Sequence, residues 1–242
     1  MRAAVVSDIH SNLYALEAVL AAIDDDAPDE LWCLGDLVGY GPRPNECCAA
    51  IAARASVCLA GNHDLGVRGT IDIDEFSGDA GAAARWTREV LVPDAQAYLD
   101  GLAPSGTAHD VALYHGSARD PIWEYVLSDE AAEATIVLAG GPLVLVGHSH
   151  AALVAAERDG EIAGGLAGAG TEIDLSTGRF LLNPGSVGQP RDGDPRAAYL
   201  LLDLDARAAS FRRVAYDVER TQREIHDLGL PEALAARLAA GQ

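Results

Sequence analysis

Short apolar runs that each end in a polar cluster constrain the fold of this chain more than any other feature. The runs do not alternate between apolar and polar residues, which is typical of strands buried on both faces of a sheet. Most of the clusters that follow them contain aspartate, asparagine or histidine. The six runs occupy residues 3–6, 31–34, 56–60, 111–114, 143–146 and 180–182. They predict a largely buried sheet with polar groups at the strand ends.

Helical patterns separate these runs. We expect helical segments at residues 13–23, 45–54, 77–102 and 128–138. Asn12 precedes the apolar stripe of the first segment and is expected to cap it. Pro93 lies inside the third segment, which is therefore either one long helix or two helices broken at the proline. Ser128 opens the fourth segment and is followed by acidic residues in the first turn.

The sequence pattern changes after residue 160. Further strands are expected at residues 161–175, 199–204 and 210–216. The tail, residues 217–240, predicts one or two helices. Because no linker or internal repeat interrupts the chain, we expect a single α/β domain over residues 1–242, with residues 217–242 as a helical C-terminal cap. A homodimer contact is the alternative role for this tail.

The charge balance argues against several classes of partner. The chain has 17 basic and 37 acidic residues, a net charge of −20, and all of its basic residues are arginine. Such a chain should repel long nucleic acids.

No apolar stretch approaches the roughly 20 residues of a membrane span. The N-terminus becomes polar too early for a signal peptide, and the four cysteines lack CxxC spacing, so we expect a cytoplasmic protein with reduced thiols.

Five of the seven histidines lie just beyond apolar runs, together with two aspartates and an asparagine. Because ligands of open α/β sheets bind at the carboxyl ends of the strands, these side chains should converge. Imidazole and carboxylate groups without thiolates suit Mn, Fe, Ni or Zn. Seven donors are too many for one ion, so a shared carboxylate would complete two sites. The donors are Asp8, His10, Asp36, Asn62, His115, His148 and His150.

The order of these residues resembles the motif series of the calcineurin-like metallophosphoesterases. That series reads Asp-x-His, Gly-Asp, Gly-Asn-His-Asp/Glu, a lone His and Gly-His-x-His. Here it stands as Asp8-Ile9-His10, Gly35-Asp36, Gly61-Asn62-His63-Asp64, His115 and Gly147-His148-Ser149-His150. Two further segments, residues 35–42 and 183–191, are similar to the small bacterial and archaeal branch of phosphodiesterases and diadenosine tetraphosphatase-like proteins. The resemblance covers residues 3 to about 216.

The resemblance implies a fold and a ligand set. The implied fold is a pair of mixed β-sheets packed as a sandwich, with helices outside. The implied ligands are Asp8, His10 and His150 for one ion, and Asn62, His115 and His148 for the other. Asp36 would bridge the two ions, and His63 would lie beside the scissile phosphate without binding metal.

The implied activity is dinuclear, metal-dependent hydrolysis of small phosphate esters, either phosphodiesters or dinucleoside polyphosphates. Two divalent ions would bridge and acidify a water, giving a hydroxide that attacks phosphorus in line with the leaving oxygen. Asp36 would be catalytic as the bridging ligand. His63, when protonated, would donate to the leaving oxygen or bind a nonbridging one. Manganese is the expected metal, with iron, zinc and nickel as alternatives.

One departure from the family pattern concerns the phosphate contact. In the Ser/Thr phosphatase branch, the Gly-Asp motif continues into an aspartate that partners the motif histidine and an arginine that binds phosphate. Gly39 and Tyr40 stand at those positions here, which argues against protein phosphatase activity. The expected substrate-binding residues are Asn62, His63, Arg119 and Arg191, with Arg43 as another source of positive charge. The alternative functions are a phosphomonoesterase or protein phosphatase, and a non-catalytic metal-binding scaffold.

Several neighbours of the motifs have expected supporting roles. Asp64 should hydrogen-bond its own loop. Asn183 and Ser186 lie in a turn-rich segment that we expect to orient ligands. Three aromatic residues either stack on a base or belong to the core: Trp86, Trp123 and Tyr125.

Overall fold

The computed structural model describes residues 1–242, and each of the six apolar runs forms a strand. The strands are β1 (Arg2–Val6), β2 (Glu30–Cys33), β3 (Val57–Cys58), β4 (Ser105–Ala108), β5 (Val111–Tyr114), β6 (Leu143–Leu145), β7 (Ala152–Arg158), β8 (Glu161–Leu166), β9 (Glu172–Asp174), β10 (Arg179–Pro184), β11 (Ala197–Asp203) and β12 (Ala208–Val214). The helices are α1 (Leu13–Asp26), α2 (Pro44–Arg54), α3 (Asn62–Val67), α4 (Gly78–Val90), α5 (Pro93–Asp100), α6 (Asp129–Ala139), α7 (Val218–Asp227) and α8 (Glu232–Ala240), with a 3-10 turn at Ile73–Glu75.

The strands form two mixed sheets of six, which confirms the predicted fold class. One sheet has the order β3-β2-β1-β11-β12-β9, and the other has the order β4-β5-β6-β10-β7-β8. In the first sheet β1, β2 and β3 run parallel, and in the second β5, β6 and β10 run parallel. These six are the strands that the apolar runs predicted. Five of them, all but β10, carry the predicted ligands beyond their carboxyl ends.

Both faces of β1 are buried, which explains its uninterrupted apolar sequence. Ala3 and Val5 pack between the two sheets, in a cluster that includes Trp32 of β2 and Phe180 of β10. The intervening residues of β1 instead pack in a second cluster that includes Leu16 of α1. Successive side chains of a strand point to opposite faces, so a strand between two apolar layers needs apolar residues throughout.

The structure decides between two open expectations and adds three elements that the sequence did not indicate. Pro93 begins α5 after α4 has ended at Val90, so the long helical segment is two helices. Residues 161–175 form two strands, because the chain leaves β8 in one sheet and enters β9 in the other. No sequence pattern indicated α3, β4 or β7. The Ala-rich sequence of β7 has high helix propensity, but its pairing with β10 along six residues outweighs that preference.

The tail forms two helices that pack against each other, and α7 also packs against α1. Ile225 of α7 and Leu234 of α8 belong to an apolar cluster with Ala83 of α4, and Tyr40 packs against this cluster. The Thr221 hydroxyl donates to the Asn12 side chain at 3.0 Å. The tail therefore contacts residues next to the Asp8-Ile9-His10 motif. None of the helices has the length and apolar character needed to cross a membrane.

Candidate metal centre

Five of the seven predicted ligands have left-handed backbone conformations. Asp8, His10, Asp36, His148 and His150 have φ angles of 54°, 47°, 54°, 62° and 57°. Non-glycine residues rarely adopt such angles, and each costs on the order of 1–3 kcal/mol. Backbone hydrogen bonds hold two of these turns, from the Asp8 amide to the Gly35 carbonyl and from the His10 amide to the Asp36 carbonyl. Strain concentrated at one group of side chains indicates a functional site.

One group of ligands brings together Asp8, His10, Asp36 and His150, whose donor atoms all lie within 4.8 Å of one another. The Nε2 atom of His10 is 3.5 Å from Oδ2 of Asp36 and 3.0 Å from Nε2 of His150. The Nε2 atom of His150 is 3.4 Å from Oδ1 of Asp8. All four side chains are buried.

A second group adjoins the first and shares Asp36 with it. His115 and His148 join Asp36 within the same 4.8 Å limit. The Nε2 atom of His115 is 3.5 Å from Oδ2 of Asp36 and 3.3 Å from the side-chain oxygen of Asn62. The structure thus brings all seven predicted donors together and places Asp36 between the two groups. This matches the two sets and the shared carboxylate that the resemblance implied.

Each of the four ligand histidines uses one ring nitrogen to contact a main-chain carbonyl. Nδ1 of His10, His115 and His150 contacts the carbonyls of Val38, Leu34 and Gln189 at 3.0, 2.8 and 2.7 Å. Nε2 of His148 contacts the Trp123 carbonyl at 3.2 Å. Metal-binding histidines commonly donate their outer N–H to such an acceptor, which fixes the ring and leaves the other nitrogen for the ion.

The donor set fits divalent cations. With Nδ1 of His10 and His150 donating to carbonyls, the two Nε2 atoms that meet at 3.0 Å both present lone pairs. Oδ1 of Asp8 and Oδ2 of Asp36 are buried without a hydrogen-bond partner. Buried acceptors without donors are costly unless a cation satisfies them. A positive ion in each group would remove both conflicts.

The electrostatics of the site agree with that interpretation. Burial lowers the pKa of His148 to about 3 and holds the pKa of His10 and of His150 well below its usual value, so these rings are neutral and able to bind metal. At His115, burial opposes protonation, but the Asp36 carboxylate outweighs it and raises the pKa to about 9. An ion bound at that position would replace this proton.

His63 is packed beside the ligands without belonging to either group. Its ring lies 4.4 Å from that of Tyr40 and 4.8 Å from that of Phe76, measured between centroids. Gly39 has φ of +87°, and a Cβ there would come within 2.4 Å of Nδ1 of His63. Nδ1 is buried and has no partner, so Nε2 is the nitrogen left to act in the neighbouring cleft. The glycine that replaces the family's aspartate therefore makes room for the imidazole.

A cleft of about 190 Å³ opens over the two ligand groups. Arg191 lines it and donates to the Tyr40 hydroxyl at 3.3 Å and to the Gln189 side chain at 2.8 Å. Arg119 does not line the cleft, and it pairs with Glu124 and Glu130 instead. The structure therefore brings one of the two predicted arginines to the site and leaves the other outside it. Arg43, the additional candidate, pairs with Glu46 and Glu224.

The turn-rich segment at the end of β10 and just after it supports the ligands through side-chain contacts to the main chain of the ligand loops. The Ser186 hydroxyl donates to the Asp8 carbonyl at 2.7 Å, and the Asn183 side chain donates to the Gly147 carbonyl at 2.7 Å. At Gly188 a Cβ would come within 1.8 Å of the Ile9 carbonyl oxygen, so only glycine fits. These contacts confirm that the segment orients the ligand loops.

The loop role expected for Asp64 is also confirmed. Its carboxylate accepts from the amides of Leu37, Val38 and Gly61 at 2.9, 3.1 and 2.9 Å. The bonds join the loop after β2 to the start of α3. Asp36 and Asn62, which lie on those two segments, are thereby held in register.

The sequence alone did not mark two aromatic residues of the cleft wall, Tyr40 and Phe76, or any of the carbonyl partners. Tyr40 stands out in the sequence only as a departure from the Ser/Thr phosphatase pattern inside the family-like segment 35–42, although its place four residues after Asp36 is a usable signal. Phe76 lies between the Ile73–Glu75 turn and α4, outside any motif, and nothing in the sequence marked it. The carbonyls of Leu34, Val38, Trp123 and Gln189 belong to the main chain, so no residue type could reveal them.

Metal binding should stabilise the fold measurably, because the ions would satisfy buried carboxylate oxygens that have no hydrogen-bond partner in the metal-free protein. At an ion concentration 100 times Kd, the expected gain is about 2.7 kcal/mol, or roughly 5–10 °C in Tm for a chain of this size. Thermal unfolding of chelator-treated protein with and without Mn²⁺ measures this gain. His115→Ala should lose most of it, whereas His109→Ala, a change at an exposed histidine paired with Glu30, should retain it. Equal Tm values with and without the ion would contradict a resident metal.

Comparisons with known proteins agree with this geometry. The family model for the calcineurin-like phosphoesterase superfamily domain matches residues 1–207. The protein MJ0912 of Methanocaldococcus jannaschii is 38% identical over 245 residues, covering 99% of this chain and 98% of that protein. The phosphodiesterase YfcE of Escherichia coli is 28% identical over 210 residues, covering 85% of this chain and 89% of that protein. The crystal structure of a metallophosphoesterase from Sphaerobacter thermophilus aligns with a TM-score of 0.90 at 40% identity, covering 100% and 99% of the two chains.

Proposed function

This chain belongs to the calcineurin-like phosphoesterase superfamily and is a hydrolase of phosphate esters, and from that premise we propose that it cleaves phosphodiesters or dinucleoside polyphosphates at a dinuclear centre. One observation carries the proposal: two ligand groups share the Asp36 carboxylate beneath a cleft that His63 and Arg191 line. The similarity to a phosphodiesterase favours a diester over a monoester.

We propose Asp8, His10 and His150 as ligands of one ion, Asn62, His115 and His148 as ligands of the other, and Asp36 as the bridge. When bound, two divalent ions supply an activated water and Lewis-acid stabilisation of the phosphoryl oxygens. Arg191 orients the phosphate by donating to its oxygens in a fixed fork. His63 presents Nε2 to the leaving oxygen or to a nonbridging oxygen, and Asn62 lies beside it to contact substrate.

We propose manganese as the metal because imidazole, carboxylate and amide donors without thiolates suit it; iron, zinc and nickel are the alternatives. We also propose a cytoplasmic location. Its support is that the four cysteines are free thiols, which fits a reducing compartment. A single domain with the α7–α8 tail as its cap stays a prediction, and the tail is the surface at which we would test for a homodimer.

The defining experiment is turnover by metal-stripped protein refilled with Mn²⁺, Ni²⁺, Zn²⁺ or Mg²⁺. The substrates are a nitrophenyl diester, a nitrophenyl monoester and diadenosine tetraphosphate. Metal-restored hydrolysis of the diester or the dinucleotide supports the proposal. Preference for the monoester would favour the phosphomonoesterase alternative, and two bound ions without any turnover would favour the scaffold.

Arg191 and Arg119 should behave differently when each is replaced by alanine. Arg191→Ala removes a charged donor from the cleft and should raise KM for the diester by roughly 10–100-fold, because a hydrogen bond to a charged group contributes about 1.5–3 kcal/mol. Arg119→Ala is the matched control and should change KM less than about twofold, since Arg119 is engaged by Glu124 and Glu130. Steady-state kinetics of both variants checks this. A larger effect at Arg119 would show that its ion pairs open when substrate binds.

A further inference from the structure

One wall of the cleft is aromatic, and the hydrolytic chemistry described above does not use it. Tyr125 stacks on the imidazole of His148, with centroids 4.0 Å apart and planes 15° apart. Although His148 covers one face of the ring, Tyr125 is 46% exposed and lines the cleft. A tyrosine ring left this open beside a buried site is available to a ligand.

Trp123 and Phe76 extend this wall. Both line the cleft, and their rings lie 5.5 Å apart at an angle of 58°. Phe76 in turn contacts the ring of His63 at 4.8 Å. The wall therefore reaches from His148, a proposed metal ligand, to His63, which lies beside the proposed position of the phosphate.

The loop that carries Trp123 and Tyr125 is held in place before any ligand arrives. The Asp120 carboxylate accepts from the amides of Ile122 and Trp123 at 3.0 and 3.1 Å. Glu124, between the two aromatic residues, pairs with Arg119 and accepts from Ser117. A preorganised surface costs little ordering entropy on binding.

We propose that Phe76, Trp123 and Tyr125 form a platform that stacks on the base of a nucleoside joined to the phosphate, so that the substrates are small nucleotide esters. The inference rests on the proposed function and narrows its substrate class. Every base has a π-face, so such a platform tolerates any base. The net charge of −20 opposes a long polyanion, which leaves short nucleotides as the matching ligands.

The test compares two ligands that differ only in the base. Adenosine 5′-monophosphate and ribose 5-phosphate are titrated calorimetrically into Mn²⁺-loaded protein under conditions without turnover. The wild-type protein should bind the nucleotide at least about tenfold more tightly. Tyr125→Leu and Trp123→Leu should each weaken nucleotide binding by about tenfold and leave ribose 5-phosphate unchanged. Tyr125→Phe keeps the ring and should keep the affinity, and Leu127→Ala, an exposed position on the same loop, is the control.

Two results would overturn the platform while leaving the proposed function intact: equal binding of both ligands by an active enzyme, or a Tyr125→Leu variant that weakens both ligands equally. The second result would show that the ring acts through His148 and not on a base. Metal content of each variant, measured in parallel, identifies that case. Absence of hydrolysis of any ester would remove the proposed function itself, and the platform with it.

Discussion

Asp36→Asn is expected to reduce kcat for the diester by roughly 10³-fold or more. Asp36 is the one carboxylate shared by both ligand groups, and its Oδ2 atom is buried without another partner. Replacing that oxygen by an amide nitrogen would remove the anionic ligand that we propose the two ions share. Metal ions contribute several kcal/mol of transition-state stabilisation, and each 1.36 kcal/mol corresponds to a tenfold change in rate.

The measurement combines kcat with the metal content of the purified variant. We expect fewer than two ions per chain in Asp36→Asn and two in the wild type. Asp94→Asn makes the same change of charge at an exposed position on α5 and should retain both ions and full activity. Wild-type turnover in Asp36→Asn would show that the shared carboxylate is not the bridge.

The ligands could be predicted because each follows an apolar strand that the sequence reveals. Ala3–Val6 has no polar residue, so β1 had to be buried on both faces, and Asp8 and His10 had to lie at its carboxyl end. The same argument places Asp36 after β2 and His115 after β5. Strand direction and burial are local properties of these runs, which is why convergence could be predicted without any long-range contact.

The two predicted substrate-binding arginines could not be distinguished from the sequence. Arg119 follows His115 by four residues and Arg191 follows a motif-like loop, so the sequence gives them equal standing. The two arginines differ in their tertiary contacts. Glu124 and Glu130 form ion pairs with Arg119. The Arg191 amide instead donates to the His150 carbonyl, which ties Arg191 to a ligand loop. These tertiary contacts determine which guanidinium is available to bind a phosphate.

The aromatic wall could be predicted only in part: the sequence marks Trp123 and Tyr125, with stacking on a base or a place in the core left open, and it does not mark Phe76. Phe76 and Trp123 come from separate segments, and each is of a type that usually belongs to a core. Their rings come to 5.5 Å only because the fold places the segment just before α4 beside the loop after β5. The left-handed turns at His148 and His150 were also hidden, because histidine adopts that conformation more often than most residues but still uncommonly.

For a dinucleoside monophosphate, His63→Ala is expected to lower kcat by about 10²–10⁴-fold while leaving both ions bound. His63 lines the cleft but is in neither ligand group, so its loss should affect the chemistry and not the metal content. Burial lowers the pKa of His63 to about 4, and the ring is therefore neutral in the free protein at neutral pH. A bound phosphate anion would favour the protonated ring, since a nearby opposite charge stabilises the charged form.

The choice of leaving group separates the two roles of His63. A general acid matters most when the leaving oxygen is a poor leaving group, so a dinucleoside monophosphate, which releases a sugar hydroxyl, should lose far more rate in His63→Ala than a nitrophenyl diester. A donor to a nonbridging oxygen would lower both rates by the same factor. We expect the unequal loss, because burial keeps the pKa of His63 low, and a ring that the bound phosphate has protonated therefore gives its proton readily to the leaving oxygen. His63→Gln, which donates a hydrogen bond but no proton, should restore the rate only if the equal loss is observed.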